Sequence, residues 1–218
     1  IYAACSGFGQ TGPLSQRPAY DMVVQGMGGI MSLTGHEGGS PTRVGTAIGD
    51  ITAGMFTAIG VNSALFERSQ TGRGQFIDIA MLDCQLAILE NAIARYFSTG
   101  QSPGPTGARH PAIAPFECYE SGDGHIIMAA GNEALYQKLC DALGVSHLIE
   151  DPRFVTNPDR MEHVEALKAE LEAVLKTNTT DHWLAKLEAA GVPCGPLQNV
   201  GQVVEHPQSI ARNMVVDI

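Results

Sequence analysis

The sequence has 218 residues, of which 44% are hydrophobic and 17% charged, and its net charge is −10. This length allows one large or two small domains with buried cores, and the composition is that of a globular protein, not a disordered one. The acidic excess argues against nucleic acid as a partner, because phosphate binding needs clustered lysine and arginine. No apolar run approaches the roughly 18 residues that span a bilayer, so no membrane partner is expected.

Residues 1–100 predict alternating strands and helices. Residues 1–5 form a short apolar run typical of a buried strand, which ends in a glycine-rich turn. Apolar residues with helical spacing from Ile51 stop at Thr71-Gly72, and a strand is predicted over 75–80. A second helix is predicted over 82–97. This alternation predicts an α/β fold with a parallel sheet and crossover helices.

The run Ser-Pro-Gly-Pro-Thr-Gly over 102–107 is the predicted boundary between two structural units. Beyond it, the segments 116–119 and 125–130 predict a hairpin around residues 121–124. The boundary leaves an acidic second half that we expect to fold as a small α/β domain.

Three amphipathic helices are predicted after this hairpin. The first runs from near Asn132 to Gly144. The second starts at Asp159, with Glu162 three residues later as its capping-box partner. The third is capped by Thr179 or Thr180 and ends at Gly191.

The cysteines and the first residues bear on the compartment and on the extent of the chain. No cysteine pair has CxxC spacing, so neither a zinc site nor a disulfide framework is indicated. We expect reduced, mostly buried thiols in the cytoplasm, or in the mitochondrion if the source is eukaryotic. The chain begins as a strand without an initiator methionine, from which we expect an internal fragment of a longer protein. The cysteines are Cys5, Cys84, Cys118, Cys140 and Cys194.

Asp50 stands at the predicted start of the helix that follows it. Most aspartates at such positions are helix caps, but Gly49 and Gly54 would let a ligand approach the backbone closely. The helix dipole would favour the ionised carboxylate that a nucleophile needs. Three other carboxylates lie nearby in the sequence, and the residues alone do not choose among the four: Asp21, Glu37 and Glu67.

Glycine-rich segments in a fixed order carry a resemblance to a known family. These segments are Ser6-Gly7-Phe8-Gly9-Gln10-Thr11-Gly12-Pro13, Gly49-Asp50 and Thr71-Gly72-Arg73-Gly74-Gln75. On these segments the chain resembles the family III CoA-transferases. The resemblance extends over essentially the whole chain and includes His110-Pro111, Gly131-Asn132 and Gly195-Pro196. The resemblance implies that Asp50 is the covalent nucleophile of a CoA-transferase. Such an enzyme moves CoA from an acyl-CoA to a carboxylic acid through an aspartyl-CoA intermediate.

The resemblance also implies an architecture and a set of partners. Residues 1–106 would be part of a Rossmann-like large domain with a parallel sheet, and 107–205 a smaller α/β domain. Residues 206–218 would start the return to the large domain. Family members form interlocked homodimers, which we expect here. The implied partners are an acyl-CoA and a carboxylic acid, with CoA thioester as substrate, no permanently bound cofactor and no metal.

Tyr20 discriminates between two reactions. The related α-methylacyl-CoA racemases carry a histidine at this position, which exchanges the proton α to the thioester. A tyrosine hydroxyl is poorly suited to that work at neutral pH, and formyl-CoA transferase-like members also have tyrosine there. The alternatives are a half-buried tyrosine that packs beside the glycine turn, a racemase-like isomerase, and a non-catalytic relative that binds acyl-CoA.

Three further residues are predicted contacts of CoA or substrate. Arg17 suits a CoA phosphate, with a solvated surface arginine as the alternative. Residues 104–111 occupy the place of the glycine-rich loop that shields the active site in formyl-CoA transferases. Gly104 and Gly107 remain of its glycines. From this segment Gly107 and His110 are the predicted contacts, although a structural role is the alternative for His110.

Overall fold

The computed structural model describes residues 1–216 and divides the chain into two compact units, Ile1–Gly107 and a second that starts at Ala108. The first unit has a parallel sheet of two strands, and the second has an antiparallel sheet of three. The predicted α/β class is therefore confirmed. The family-based domain assignment stays a prediction. Asp217 and Ile218, at the end of its third segment, lie outside the described residues.

The first unit is built on a β-α-β arrangement. Strand β1 (Tyr2–Ser6) pairs in parallel with β2 (Phe76–Ala80), in a register that places Tyr2 opposite Phe76. The helices are α1 (Asp21–Met27), α2 (Ile30–Leu33), α3 (Ile48–Thr71), α4 (Met81–Ala87) and α5 (Glu90–Thr99). Helix α3 belongs to the connection between two parallel strands, so it runs in the opposite direction to them. It therefore begins at the edge of the sheet where both strands end.

Backbone conformation marks the end of α3 and the break between α4 and α5. Gly72 ends α3 with a left-handed φ of 70°, a conformation that glycine adopts without a steric penalty. The single helix predicted over 82–97 is wrong, because α4 and α5 are separated by a turn at Ile88 and Leu89. The apolar residues at 82, 86, 89, 93 and 97 keep helical spacing in the sequence across this turn, so the spacing alone does not reveal the break.

The second unit contains the predicted hairpin and helices around a larger core. Strands β3 (Phe116–Glu120) and β4 (His125–Ala129) form the hairpin, and β5 (Cys194–Pro196), which was not predicted, adds to β4. The helices are α6 (Glu133–Leu143), α7 (Asn157–Glu162), α8 (Val164–Leu175), α9 (Thr180–Ala189), α10 (Val200–Glu205) and α11 (Pro207–Ala211), with a 3-10 turn at Ser146–Ile149. The first of these helices begins near Asn132, as predicted, and Asn132 caps it; of the two predicted caps of α9, Thr179 is the one observed.

The predicted start of the second amphipathic helix at Asp159 is wrong. The capping box lies three residues upstream, between Thr156 and Asp159, and α7 begins at Asn157. The Thr156 N–H donates to Asp159 Oδ2 at 3.0 Å, so the aspartate closes the box instead of opening it. His163 then separates α7 from α8, which the apolar spacing did not indicate.

Arg160 joins several segments of the second unit from inside its core. Its side chain is 1% exposed and donates to the Ala114 carbonyl at 2.7 Å and to the Phe154 carbonyl at 3.0 Å. Both ends of its guanidinium also donate to the Glu133 carboxylate at 2.9 Å, which lowers the pKa of Glu133. The guanidinium carbon lies 4.2 Å from the centre of the Tyr136 ring. The buried charge is thus paired with a carboxylate, and each guanidinium nitrogen donates at least one hydrogen bond.

Replacement of Arg160 tests this arrangement. We expect Arg160→Met to lower the free energy of unfolding by about 2 to 5 kcal/mol, because carbonyl oxygens lose their donors inside the core. Arg153→Met is the matched control. Arg153 pairs with Asp151 but is 42% exposed, so its loss should cost about 1 kcal/mol or less. Urea denaturation followed by Trp183 fluorescence measures the free energy of unfolding of both variants. Equal losses in the two would contradict the structural role of Arg160.

Candidate functional site

The glycine-rich turn after β1 is fixed to the carboxyl end of β2. Gly9 has a left-handed φ of 84°, and its N–H donates to Ser6 Oγ at 3.1 Å. The N–H of Gln10 donates to Asp78 Oδ2 at 2.9 Å. A ligand-binding edge in α/β folds is formed where parallel strands end, and this turn lies at that edge.

The same turn packs closely against the residues that follow it. A Cβ atom at Gly7 would collide with the Cβ of Ala19, so no other residue fits there without movement of the backbone. The Gly7 carbonyl also accepts from the Leu82 N–H at 3.1 Å, at the start of α4. The turn, the residue before Tyr20 and the start of α4 therefore form one packed region.

Asp50 lies in the first turn of α3, but it does not cap the helix. The N-cap residue is Ala47, which has no side-chain oxygen, and the Gly49 N–H donates instead to Asp21 Oδ1 at 2.8 Å. The prediction that α3 starts after Asp50 is wrong by three residues. Asp50 is exposed, and within residues 1–216 its carboxylate has no hydrogen bond or ion pair. An unengaged carboxylate at a helix N-terminus is chemically available.

Tyr20 lies at the start of α1, which is hydrogen-bonded to the start of α3 next to Asp50. It is the N-cap residue of α1, has an extended backbone, and its side chain is 84% exposed. The alternative of a half-buried packing tyrosine is therefore wrong. Since Asp21 follows Tyr20 and Gly49 precedes Asp50, the bond between Asp21 and Gly49 brings the two predicted site residues to one end of α3.

Arg17 and Gly107 also belong to the first unit. Arg17 is exposed, and its guanidinium carbon lies 5.9 Å from the centre of the Phe8 ring in the glycine turn. Gly107 has a left-handed φ of 65°, and its N–H donates to the Gly35 carbonyl at 2.9 Å. A Cβ atom at position 107 would lie 3.3 Å from Nδ1 of His36. Gly107 is therefore tied to the turn at Gly35 and His36.

His110 belongs to the second unit, where it has a structural role. Its N–H donates to the Phe116 carbonyl at 2.8 Å, and its ring stacks on the Phe116 ring at 5.0 Å between centres. Its Nδ1 accepts from the Ala112 N–H at 3.2 Å. A contact between His110 and substrate stays a prediction.

Sequence reasoning missed the polar side chains that hold the loop before Asp50. Asp21 was considered only as a rival nucleophile, and Gln25 was not singled out. Gln25 is fully buried, and its Oε1 accepts from the Val44 N–H at 2.9 Å. The signal in the sequence is their spacing, since residues four apart lie on one face of a helix.

The pocket near the end of β2 does not suit CoA. This pocket, of roughly 210 Å³, contains the carboxylates of Asp78 and Asp83, which would repel CoA phosphates. Asp50 is not among its lining residues.

Within residues 1–216 no group of three His, Cys, Asp or Glu side chains is arranged to hold a metal ion. In the same part of the chain, no helix is long and apolar enough to cross a membrane.

The chain is similar to two curated CoA-transferases. It is 47% identical over 217 residues to the acetyl-CoA:oxalate CoA-transferase of Acetobacter aceti, and these cover 99% of the chain and 56% of that protein. It is 37% identical over 223 residues to the succinate–glutarate CoA-transferase of Agrobacterium fabrum, with coverage of 100% and 54%. The chain thus spans about half the length of the curated relatives it matches.

A solved structure and a family profile agree with these relatives. The fold is similar to a CaiB/BaiF family protein from Brucella suis, with a TM-score of 0.86, 43% identity, and coverage of 100% of this chain and 57% of that one. The profile described as CoA-transferase family III matches residues 1–218. The match over the whole chain confirms the resemblance: the chain belongs to CoA-transferase family III.

Proposed function

We propose that the protein transfers CoA from an acyl-CoA thioester to a carboxylic acid, with Asp50 as the covalent nucleophile. The observation that carries the proposal is the exposed, unengaged carboxylate of Asp50 in the first turn of α3, in a chain of this family. The named CoA-transferases among its relatives support the general activity. The aspartyl intermediate is what membership of this family implies, and the free Asp50 carboxylate suits it.

The first half of the reaction loads CoA onto Asp50. The carboxylate attacks the thioester carbonyl, the carbon–sulfur bond breaks, and a mixed anhydride and CoA thiolate result. The thiolate then attacks the aspartyl carbonyl of the anhydride. This step forms an aspartyl-CoA thioester and releases the donor as a free carboxylate. Two covalent steps replace one difficult displacement.

The second half reverses these steps with a new acid. The acceptor carboxylate attacks the aspartyl thioester, which gives a second mixed anhydride and CoA thiolate. The thiolate attacks the acceptor's carbonyl, the new acyl-CoA leaves, and the Asp50 carboxylate is regenerated. No proton or electron is gained or lost overall. Exclusion of water is essential, because both anhydrides and the aspartyl thioester hydrolyse.

The surroundings of Asp50 suit this chemistry. The first turn of a helix favours a negative charge on its carboxylate, and the lack of other partners within residues 1–216 leaves the oxygen atoms free to attack. We assign the exposed ring of Tyr20 to the wall of the thioester pocket. Arg17, with its planar guanidinium, is assigned to a CoA phosphate.

We further propose a dicarboxylic acid as acceptor. The relative from Acetobacter aceti is named for oxalate, and that from Agrobacterium fabrum for succinate and glutarate. Each is a small acid with two carboxyl groups, so one can react while the other is recognised by a positive or hydrogen-bonding group. The substrates implied are thus an acyl-CoA and a dicarboxylate.

We also propose an interlocked homodimer. Large apolar side chains on the first unit are exposed, and such a surface is typical of an interaction face. These side chains include Tyr2, Met55, Ile59, Phe66, Phe76 and Phe97. A reducing, cytoplasm-like compartment is proposed because all five cysteines are free.

Asp50→Asn tests the nucleophile. The amide has nearly the same shape but cannot form the anhydride, so we expect loss of CoA transfer. The free energy of unfolding should fall by about 1 kcal/mol or less, since only a charge near a helix N-terminus is removed. Transfer is measured with the full-length protein by chromatography of the acyl-CoA product.

Asp83→Asn is the matched control for Asp50. Asp83 is exposed and holds the same position in α4, the third helical residue, as Asp50 holds in α3. We expect this variant to keep transfer activity. Substantial transfer by Asp50→Asn, or equal losses in both variants, would contradict the assignment of Asp50.

The loop predicted over 104–111 is proposed to keep water from the intermediates, and residues 104–107 are its part in the first unit. Its proposed closed position is the one held by the bond between Gly107 and Gly35. A side chain at position 107 would strain the left-handed backbone and press on His36. A second left-handed glycine with open space around it separates the effect of the His36 contact from that of the backbone strain.

Gly107→Ala should raise the ratio of acyl-CoA hydrolysis to transfer, with the KM for acyl-CoA nearly unchanged. Gly100→Ala is the control, because Gly100 has a similar φ of 70° but a Cβ atom added there would meet no other atom within 4 Å. Hydrolysis and transfer are measured together from free CoA and product. A loss of transfer caused only by weaker acceptor binding would identify the segment as a specificity element instead.

A further inference from the structure

Two side chains of α1 hold residues 44–49, a segment that comprises the end of the loop before α3 and the first two residues of α3. The Gly49 N–H donates to Asp21 Oδ1 at 2.8 Å. Earlier in this segment, the Val44 N–H donates to Gln25 Oε1 at 2.9 Å. Gln25 Nε2 also donates to the Thr46 carbonyl at 3.3 Å. The start, middle and end of the segment are therefore bound to the same helix.

The two side chains also hold each other. Gln25 Nε2 donates to Asp21 Oδ2 at 2.7 Å, so each carboxylate oxygen of Asp21 accepts one hydrogen bond. Gln25 is fully buried, and its amide makes three hydrogen bonds. A buried amide whose donors and acceptor are all used has one satisfied orientation. The pair is therefore a fixed support.

The first turn of α3 has no space to shift towards α1. A Cβ atom at Gly49 would lie 2.8 Å from Val24 Cγ2 and 2.9 Å from Asp21 Oδ1, closer than real Cβ atoms approach. Ala47, the N-cap residue, has no side chain that could hold the turn from within α3. The position of Asp50 therefore depends on contacts made by α1.

We propose that Asp21 and Gln25 form a positioning pair that sets the orientation of the Asp50 carboxylate. They act through the Gly49 N–H and the preceding segment, and neither side chain needs to contact the substrate. The assignment rests on the proposed function of Asp50. Misplacement of a reacting group by about 1 Å can lower a rate by about 10²-fold, so the pair is expected to control kcat.

An exchange of the two functional groups tests the pair. Asp21→Asn removes one acceptor, and the new amide leaves two donors facing each other at one of its contacts. Gln25→Glu places a carboxylate against the Asp21 carboxylate. The double variant Asp21→Asn/Gln25→Glu again sets a donor against an acceptor, with the direction reversed. The bond to the Thr46 carbonyl is then lost, and the carboxylate at the buried position 25 faces that carbonyl oxygen, so the rescue is partial.

We expect each single variant, made in the full-length protein, to lower kcat by about 10- to 100-fold while the KM for acyl-CoA changes by less than about threefold. The double variant should recover part of this loss and be clearly faster than either single variant. Amide hydrogen exchange at Val44 and Gly49 should be faster in each single variant and slow again in the double variant. Thr156→Ala is the control: it removes a helix cap in the second unit and should leave kcat unchanged.

Single variants with wild-type kcat, or a double variant no better than the worse single one, would overturn the positioning role. A wild-type protein that transfers no CoA would instead overturn the proposed function. Amide exchange then decides on the pair alone: faster exchange that the double variant reverses supports it, and unchanged exchange refutes it. The two failures are thereby distinguished.

Discussion

The hydrogen bond from the Gly49 N–H to the Asp21 carboxylate joins two helices whose residues are 28 positions apart in sequence. It satisfies a donor at the start of α3 that Ala47 cannot satisfy, and it fixes the turn that carries Asp50. Tyr20 precedes one partner of this bond in the sequence, and Asp50 follows the other. The candidate site therefore depends on a contact that closes the junction between α1 and α3.

The two units are stabilised in different ways. The second has an apolar core that includes Tyr119, Phe154 and Trp183, crossed by the neutralised charge of Arg160. The first has a much smaller buried cluster around Val24 and Met81, and polar side chains hold its loops. Such a unit places the Asp50 carboxylate by hydrogen bonds and close backbone contacts more than by core packing. This explains why Gly7 and Gly49 cannot be enlarged without movement of their neighbours.

Much of the fold followed from the sequence, because local signals decide it. Gly72 and Gly100 end helices through their left-handed backbones, and Asn132 caps α6, as their residue types predict. The break at Leu89 was hidden because a tight turn preserved the apolar spacing. The capping box at Thr156 was missed because aspartate, instead of the expected glutamate, closes it.

The site was predicted less completely. Asp50 was chosen by resemblance, since four carboxylates looked equivalent from the residues alone. Its true helix position depends on Asp21, a partner far away in sequence that no local pattern reveals. Gln25 looks like one polar residue of a short helix, and its role becomes visible only when the segment from Val44 folds onto it. Contacts between distant segments are what sequence periodicity cannot supply.

Mass spectrometry of the full-length protein incubated with acyl-CoA tests the central claim most directly. The account predicts a CoA adduct, joined as a thioester, on the peptide that contains Asp50, and loss of this adduct when an acceptor acid is added. The adduct should be absent from Asp50→Asn. Steady transfer with the adduct on another residue, or with none formed at any time during turnover, would contradict the account.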